Sequence, residues 1–499
     1  MNPIKRLASQ TAIYGISSIL GRFLNYLMVP LYTYVFSKAE YGIVSEFYAY
    51  TGFLGTLLMF GFETGFFRFT QVAENKEKVY STALNFVLIA NVVFVVLIAT
   101  FVSPISSALR YPDHHEYFYW FALILVFDSV ASIPFARLRS ENRAWQFAVI
   151  KFSEIGFTVL LNLFFIVVCK HAFEADASSF FGKLYNPEIG VGYIFISNLI
   201  ASSLKLLLLT PQLKGVLGGI DVVLLKKMLA YSLPMVVIGF AGIINEMLDR
   251  SILKFLLPFD AHKNMEQLGV YGACYKLSIL MTLFIQAFRY AAEPFFFSHV
   301  KEKNSTKVYA DVMKYFVIVC VFIFLLVTLY IDILKYFIGK DFRAGLSVVP
   351  ILLMANLFLG VYVNLSIWYK LKDKTLLGSF VSIGGAVLTI ILNFVFIPKY
   401  GYMASAWATL ACYASMAVVS YLLGQKYYPV EYDLKSFFKY FFIALLFYFS
   451  FTIMNEHLPA VKLLPSFVLS SVFMLAYILF VWVEDGKKLL QRTTAPASI

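Results

Sequence analysis

The groups able to do chemistry in this chain are the few charged and polar residues set inside long apolar stretches. Glu246, Asp249 and Arg250 stand at i, i+3 and i+4, a spacing that places them on one helical face with Glu246 in reach of either neighbour. Ser18, Arg22 and Asn25 also recur at helical spacing and give a polar stripe to an otherwise apolar helix. Glu63 with Arg68, Asp128, Lys151 with Glu154, Lys276, and the face Gln286, Arg289 and Glu293 complete the set. A charge in the middle of a membrane helix costs roughly 2.5 to 3.5 kcal/mol on insertion scales, so such groups face a cavity or pair with each other. Arg22, Asn25, Arg250, Lys276 and Arg289 are therefore candidates for binding a substrate in a hydrophilic, partly cationic cavity. Glu63, Asp128, Glu154, Glu246, Asp249 and Glu293 are candidates for gating or for coupling to an ion, with Na+ or H+ as the ions considered. Plainer readings stand beside these. Lys151 with Glu154 and Arg289 with Glu293 can be internal ion pairs, and Arg68 and Lys205 can snorkel to an interface.

Catalytic constellations are weak, so the chain is not expected to be an enzyme. Glu174-Ala175-Asp176 stands alone in a short loop and reads as chance, and the adjacent His114 and His115 offer poor geometry for one metal. No Gly-rich phosphate loop, nucleotide fold or zinc spacing occurs in the sequence, which argues against ATP-driven work by this chain alone. No cofactor and no metal are expected. Cys169, Cys274, Cys320 and Cys412 fall in or at the ends of apolar segments and read as packing residues.

The elements that must position these groups follow from composition. The 499 residues are 60% hydrophobic and 14% charged, with a mean hydropathy of +0.77, whereas an ordinary globular chain is about 25% charged. A membrane-crossing helix takes about 20 apolar residues, and the sequence resolves into fourteen such stretches. They run over 9–36, 42–69, 80–109, 116–136, 145–169, 190–213, 229–257, 268–299, 309–337, 345–369, 376–398, 400–424, 437–455 and 462–483. Continuous apolarity without period-two alternation favours helices over barrel strands, since a lipid-exposed backbone must satisfy its own hydrogen bonds. The first stretch is too long for a signal-peptide core and reads as a retained helix. The N-terminus, the even-numbered loops and the C-terminus together carry more than twice the Lys and Arg of the other side. Both termini are accordingly predicted cytoplasmic. The net charge of +12 is explained by that bias and calls for no nucleic-acid partner.

The chain also repeats itself. Thr158–Ile166, TVLLNLFFI, returns as Thr389–Ile397, TIILNFVFI. Glu40-Tyr41-Gly42 aligns with Gln267-Leu268-Gly269, the charged turn at Arg139 to Arg143 with Lys370 to Lys374, and Gly192-Tyr193 with Gly401-Tyr402. The polar insertion His171 to Glu188 accounts for the change of offset. This predicts an all-α integral membrane protein with two parallel six-helix bundles, 1–215 and 216–426, followed at 427–499 by two extra helices, 13 and 14, and a cytoplasmic tail. The Phe-rich helix 13, from Phe438 to Phe451, suggests a greasy groove between helices 13 and 14 for a long isoprenoid tail.

With that architecture in place, Gly21-Arg22, Pro30, Tyr41-Gly42, and Gly61 with Gly65 before Phe67-Arg68-Phe69 resemble the opening of bacterial polysaccharide and O-antigen flippases. Leu392-Asn393-Phe394 through Pro398, Tyr400-Gly401 and Ala404 to Thr409 are similar to the same family near its eleventh and twelfth helices. The family is the oligosaccharide-flippase (Wzx-type) branch of the multidrug/oligosaccharidyl-lipid/polysaccharide (MOP) exporter superfamily. The resemblance implies movement of an undecaprenyl-pyrophosphate-linked oligosaccharide across the bacterial cytoplasmic (inner) membrane by alternating access, for O-antigen, lipopolysaccharide or other surface polysaccharide. It implies a lipid-linked glycan and membrane lipid as partners, along with the polysaccharide polymerisation and export machinery. A lipid II flippase is the nearest alternative, then a drug/cation antiporter. A membrane glycosyltransferase or an O-antigen ligase or polymerase handles the same lipid but uses a large outer loop, and the outer loops here are short.

Overall fold

A computed structural model describes residues 20–486 apart from 22, 25, 73, 215–217, 300–304, 373 and 458–462. Helices account for nearly all of them, and no strand occurs among the described residues. In chain order the principal helices are α1 (Val29–Val35), α2 (Lys38–Leu58), α3 (Phe62–Val72), α4 (Lys76–Ala108), α5 (His115–Ser140) and α6 (Ala144–Leu163). They continue as α7 (Gly192–Leu208), α8 (Val222–Leu256), α9 (Ala261–Leu277), α10 (Ile279–His299) and α11 (Ser305–Leu329). The last five are α12 (Val348–Leu365), α13 (Thr375–Tyr400), α14 (Tyr402–Tyr427), α15 (Leu434–Glu456) and α16 (Leu463–Val481).

Among the described residues, 11 helices are long and apolar enough to cross a membrane, or up to 13 if each bent pair is one span. Most of the first predicted stretch, 9–36, lies outside the described residues. Beyond it, most predicted edges fall within a few residues of a helix end, but α8 and α9 begin seven residues before the predicted 229 and 268, α11 ends eight before 337, and two stretches are broken. The stretch 42–69 divides at Phe60 and Gly61, whose φ values of 49° and 65° are left-handed, so the backbone turns there before α3 begins. The stretch 268–299 divides between α9 and α10.

Caps mark where the chain leaves the apolar region. Ser37 and Glu40 close a reciprocal capping box on α2, with Ser37 N–H donating to Glu40 Oε2 at 2.8 Å. Asp221 accepts the backbone N–H groups of Val223 and Leu224 at the start of α8, and Asp433 accepts that of Ser436 at the start of α15. Hydrogen bonds hold both carboxyls below the usual carboxylate range, from the Leu224 N–H foremost at Asp221 and from the Ser436 hydroxyl foremost at Asp433.

The chain divides into two compact units, Met1–Gly272 with Thr389–Gly401, and Ala273–Leu388 with Tyr402–Ile499. In the first unit α5 packs on α4 and α7, α6 on α7, and α2 on α8. Phe47 of α2 sits at its centre, ringed by Tyr111, Tyr117, Phe118, Phe121 and Phe195 at centroid distances of 5.1–6.2 Å. In the second unit α12 packs on α14, and α11 packs on α12, α15 and α16. The two terminal helices, α15 and α16, thus lie against α11. The segment after α11 ties their far ends down. Asp332 accepts hydrogen bonds from Asn455 Nδ2 and Ser466 Oγ, both at 3.0 Å, and pairs with Lys335 at 2.6 Å.

Candidate functional site

Two groups of charges lie within the first unit, and a cavity of mixed polar and apolar lining opens beside one of them. Lys205 of α7 is 2% exposed. Its ammonium lies 2.6 Å from Asp128 Oδ1 on α5 and 2.5 Å from Glu154 Oε1 on α6. Ser202 Oγ, one turn earlier on α7, donates to the same Asp128 oxygen at 2.7 Å, and Lys151 Nζ donates to Glu154 Oε2 at 3.0 Å. The two carboxylates and two ammonium groups balance. A cavity of about 370 Å³ borders this cluster, with Asp128, Lys151, Glu154, Asn198 and Ser202 on its wall together with Thr51, Thr158 and the ring of Tyr48. Gly21, next to the predicted Arg22, also reaches it. The three helices bring four charges from positions 128 to 205 to one point because each is set on the inward face of its own helix.

The second group joins α2 to α8. Glu46 is fully buried and Lys254 is 2% exposed, with Lys254 Nζ 2.7 Å from Glu46 Oε1 and 2.6 Å from the Leu109 carbonyl. Tyr111 donates to Glu46 Oε2 at 2.6 Å, and Tyr50 donates to Oε1. Arg110 Nη1 and Asn264 Nδ2 donate to the Lys254 carbonyl at 3.3 and 3.0 Å. Nearby, α2 and α9 approach closely at paired glycines. A Cβ on Gly269 would lie 1.9 Å from the Lys38 carbonyl oxygen, and one on Gly42 would lie 2.4 Å from that of Met265. Lys38 and Glu266 add an ion pair at 3.2 Å.

The residues singled out in the sequence divide accordingly. Asp128 and Glu154 meet through Lys205, and Lys151 with Glu154 forms the expected pair. Lys205, read in the sequence as able to snorkel, is buried and paired with carboxylates on two other helices. Glu63 pairs with Arg139 across α3 and α5, while Arg68 stacks on the Tyr231 ring at 4.1 Å. Asp249 is buried and accepts the Tyr271 hydroxyl at 2.5 Å and its neighbour's backbone N–H at 2.8 Å. Arg250 beside it is buried, whereas Glu246 is exposed. Lys276, half-buried, and Arg289, exposed, belong to the second unit. Arg22, Asn25 and the side chain of Glu293 lie outside the described residues. The four cysteines are buried. Glu46 and Lys254 are not among the sequence candidates, although each sits inside a predicted apolar span and carries the same signal as Asp128.

In the second unit an apolar cavity of about 390 Å³ lies among α11, α12, α14 and α15, with Phe358, Tyr421, Phe437, Phe438 and Phe441 on its wall together with Lys314 and Asp433. The Phe-rich helix 13 of the sequence analysis, α15, supplies part of this lining. Its partners there are α11, α12 and α14, in place of the helix 14 expected.

The sequence pattern of the family described as polysaccharide biosynthesis protein matches residues 7–299, more than half of the chain. The chain belongs to that family. No curated protein sequence matches it. Among solved structures, a lipid II flippase, MurJ, in an inward closed conformation is similar over 95% of this chain and 99% of its own, with a TM-score of 0.71 at 15% identity. An inward-facing multidrug resistance MATE family transporter of the MOP superfamily is similar over 81% of this chain and 93% of its own, with a TM-score of 0.61 at 14% identity. The MATE multidrug transporter DinF-BH in complex with R6G is similar over 88% of this chain and 97% of its own, with a TM-score of 0.59 at 18% identity. At such identities the likeness carries the fold: this polysaccharide biosynthesis family member has the multi-span helical fold of MOP-type transporters.

Proposed function

We propose that the protein is a flippase that moves an undecaprenyl-pyrophosphate-linked oligosaccharide across the bacterial cytoplasmic membrane by alternating access, in surface polysaccharide biosynthesis. The observation that carries this reading is the family match together with a transporter fold along nearly the whole chain. Charges kept inside apolar helices accord with it, because such groups face a cavity or pair with each other, and the cluster of Asp128, Lys151 and Glu154 does both. In this reading a pyrophosphate leaves the headgroup region by meeting cations, with Arg22, Asn25, Arg250, Lys276 and Arg289 as its contacts, while the isoprenoid tail stays in lipid. The apolar cavity beside α15 is suited to part of such a tail. Asp249, Glu246, Glu63 and Glu293 act in gating or ion coupling, and both termini face the cytoplasm, where the precursor is made. The two six-helix repeats, 1–215 and 216–426, are the bodies that exchange access, and products pass to the polymerisation and export machinery.

A lipid II flippase is the second reading, favoured by the structural likeness to MurJ. Purified protein in liposomes, supplied with a defined undecaprenyl-pyrophosphate oligosaccharide and with lipid II under an imposed potential, separates the two. The proposal expects movement of the oligosaccharide lipid alone. Movement of lipid II alone promotes the second reading, and movement of neither overturns both.

A further inference from the structure

Lys205 stands where a free cation would otherwise be needed. Asp128 and Glu154 approach one point from α5 and α6, each offering a carboxylate oxygen within 2.6 Å of the Lys205 ammonium. The Ser202 hydroxyl completes the polar surroundings of the same Asp128 oxygen. Two carboxylates aimed at one position repel each other unless a positive charge lies between them. Lys151 does not provide it, because it bonds the outer oxygen of Glu154 and not the oxygen facing Asp128. Carboxylate and hydroxyl oxygens are the ligands of hard cations, not of soft metals. Taking the Lys205 side chain away would leave such oxygens, a net charge of −1 across the four-residue cluster, and an adjoining cavity of about 370 Å³ through which an ion could enter.

We infer that Lys205 is a tethered cation filling a monovalent hard-cation site of the Na+ class, so that the wild-type protein does not load free Na+ between Asp128 and Glu154. The chain carries its own counter-ion at this point. The cluster keeps zero net charge whatever the external sodium concentration, and any sodium dependence of transport originates elsewhere in the chain. The inference concerns occupancy of one site and holds for either substrate considered above.

The test uses the full-length protein purified in detergent, with Na+ binding measured by radiolabelled 22Na+ and thermal unfolding compared in NaCl and choline chloride at equal ionic strength. A ligand that binds only the folded state raises the unfolding midpoint with its concentration. The wild type and Lys205→Arg, which keeps the charge, should show neither Asp128-dependent Na+ binding nor a sodium-specific rise. Lys205→Met should gain saturable Na+ binding and a midpoint that climbs with Na+, and adding Glu154→Gln should remove both. Saturable Na+ binding by the wild type that Asp128→Asn abolishes overturns the inference. So does a folded Lys205→Met that ignores Na+. Should Lys205→Met misfold in choline, recovery in NaCl supports the inference, and failure of both Lys205→Met and Lys205→Gln to fold in NaCl overturns it.

Discussion

At the scale of single residues, the buried pair Glu46–Lys254 is the sharpest case of a charge kept far from water. Removing one partner of a buried pair leaves the other unsatisfied and costs about 3–5 kcal/mol, whereas replacing both is often near neutral. Glu46→Gln and Lys254→Met should each lower the thermal midpoint strongly. The double variant should melt above either single one, because the side-chain amide introduced by Glu46→Gln can accept one tyrosine hydroxyl through its oxygen and donate to the other tyrosine oxygen through its NH2, and no ammonium remains to be paired. Additive losses in the double variant would show that the two groups act independently. Glu46 and Lys254 are not among the sequence candidates, but the charges of Asp128 and Glu154 were legible there, since an ionised side chain inside an apolar span is conspicuous. Their partners were not. Lys205 meets Asp128 and Glu154 from 77 and 51 positions away, and no helical periodicity links residues on three different helices.

At the scale of elements, the closest contact between helices is set by glycine. With a Cβ on Gly269 only 1.9 Å from the Lys38 carbonyl oxygen, Gly269→Ala must push α2 and α9 apart, and overpacking of this kind costs about 1–3 kcal/mol. Gly55→Ala, where no atom lies within 4 Å of the added carbon, should leave the midpoint unchanged or raise it. Equal losses in the two variants would contradict the close approach. A second element-level contact answers to pH. Burial works to raise the Asp332 carboxyl, but hydrogen bonds from Lys335, Asn455 and Ser466 and the Lys335 charge together hold it below the usual value. Its contribution is therefore present above about pH 4, near the unfolded value of 3.9, and is lost as pH falls through the lower folded value. The midpoint difference between wild type and Asp332→Asn should be clear at pH 7 and vanish in stronger acid. A pH-independent difference would rule this out. The repeated segments share a local geometry as well: Asn162 and Asn393, both fully buried, donate to the carbonyls of Thr158 and Thr389 at 2.7 and 2.8 Å. An asparagine that donates to the backbone carbonyl four residues earlier meets one of its amide hydrogens within its own helix, which eases its burial in an apolar setting.

At the scale of the whole molecule, the proposed function requires exchange of access between the two sides of the membrane. Arg22→Ala and Asp249→Ala should abolish liposome flipping of the oligosaccharide lipid while leaving folded, monodisperse protein. Full activity in both would remove these residues from the transport path. The sequence alone determined that the chain is helical and crosses a membrane many times, and where most spans begin and end. Apolar length, turn residues and charge bias are local properties, and a bilayer leaves the backbone few alternatives to the helix. It also marked Asp128 and Glu154, because cost in lipid is a property of one side chain. Only the tertiary structure decided that Lys205 joins them, that Glu46 and Lys254 close on each other beside paired glycines, and that α15 lines its cavity with α11, α12 and α14. Those outcomes depend on which helical faces meet, and that is set by packing between segments far apart in the chain.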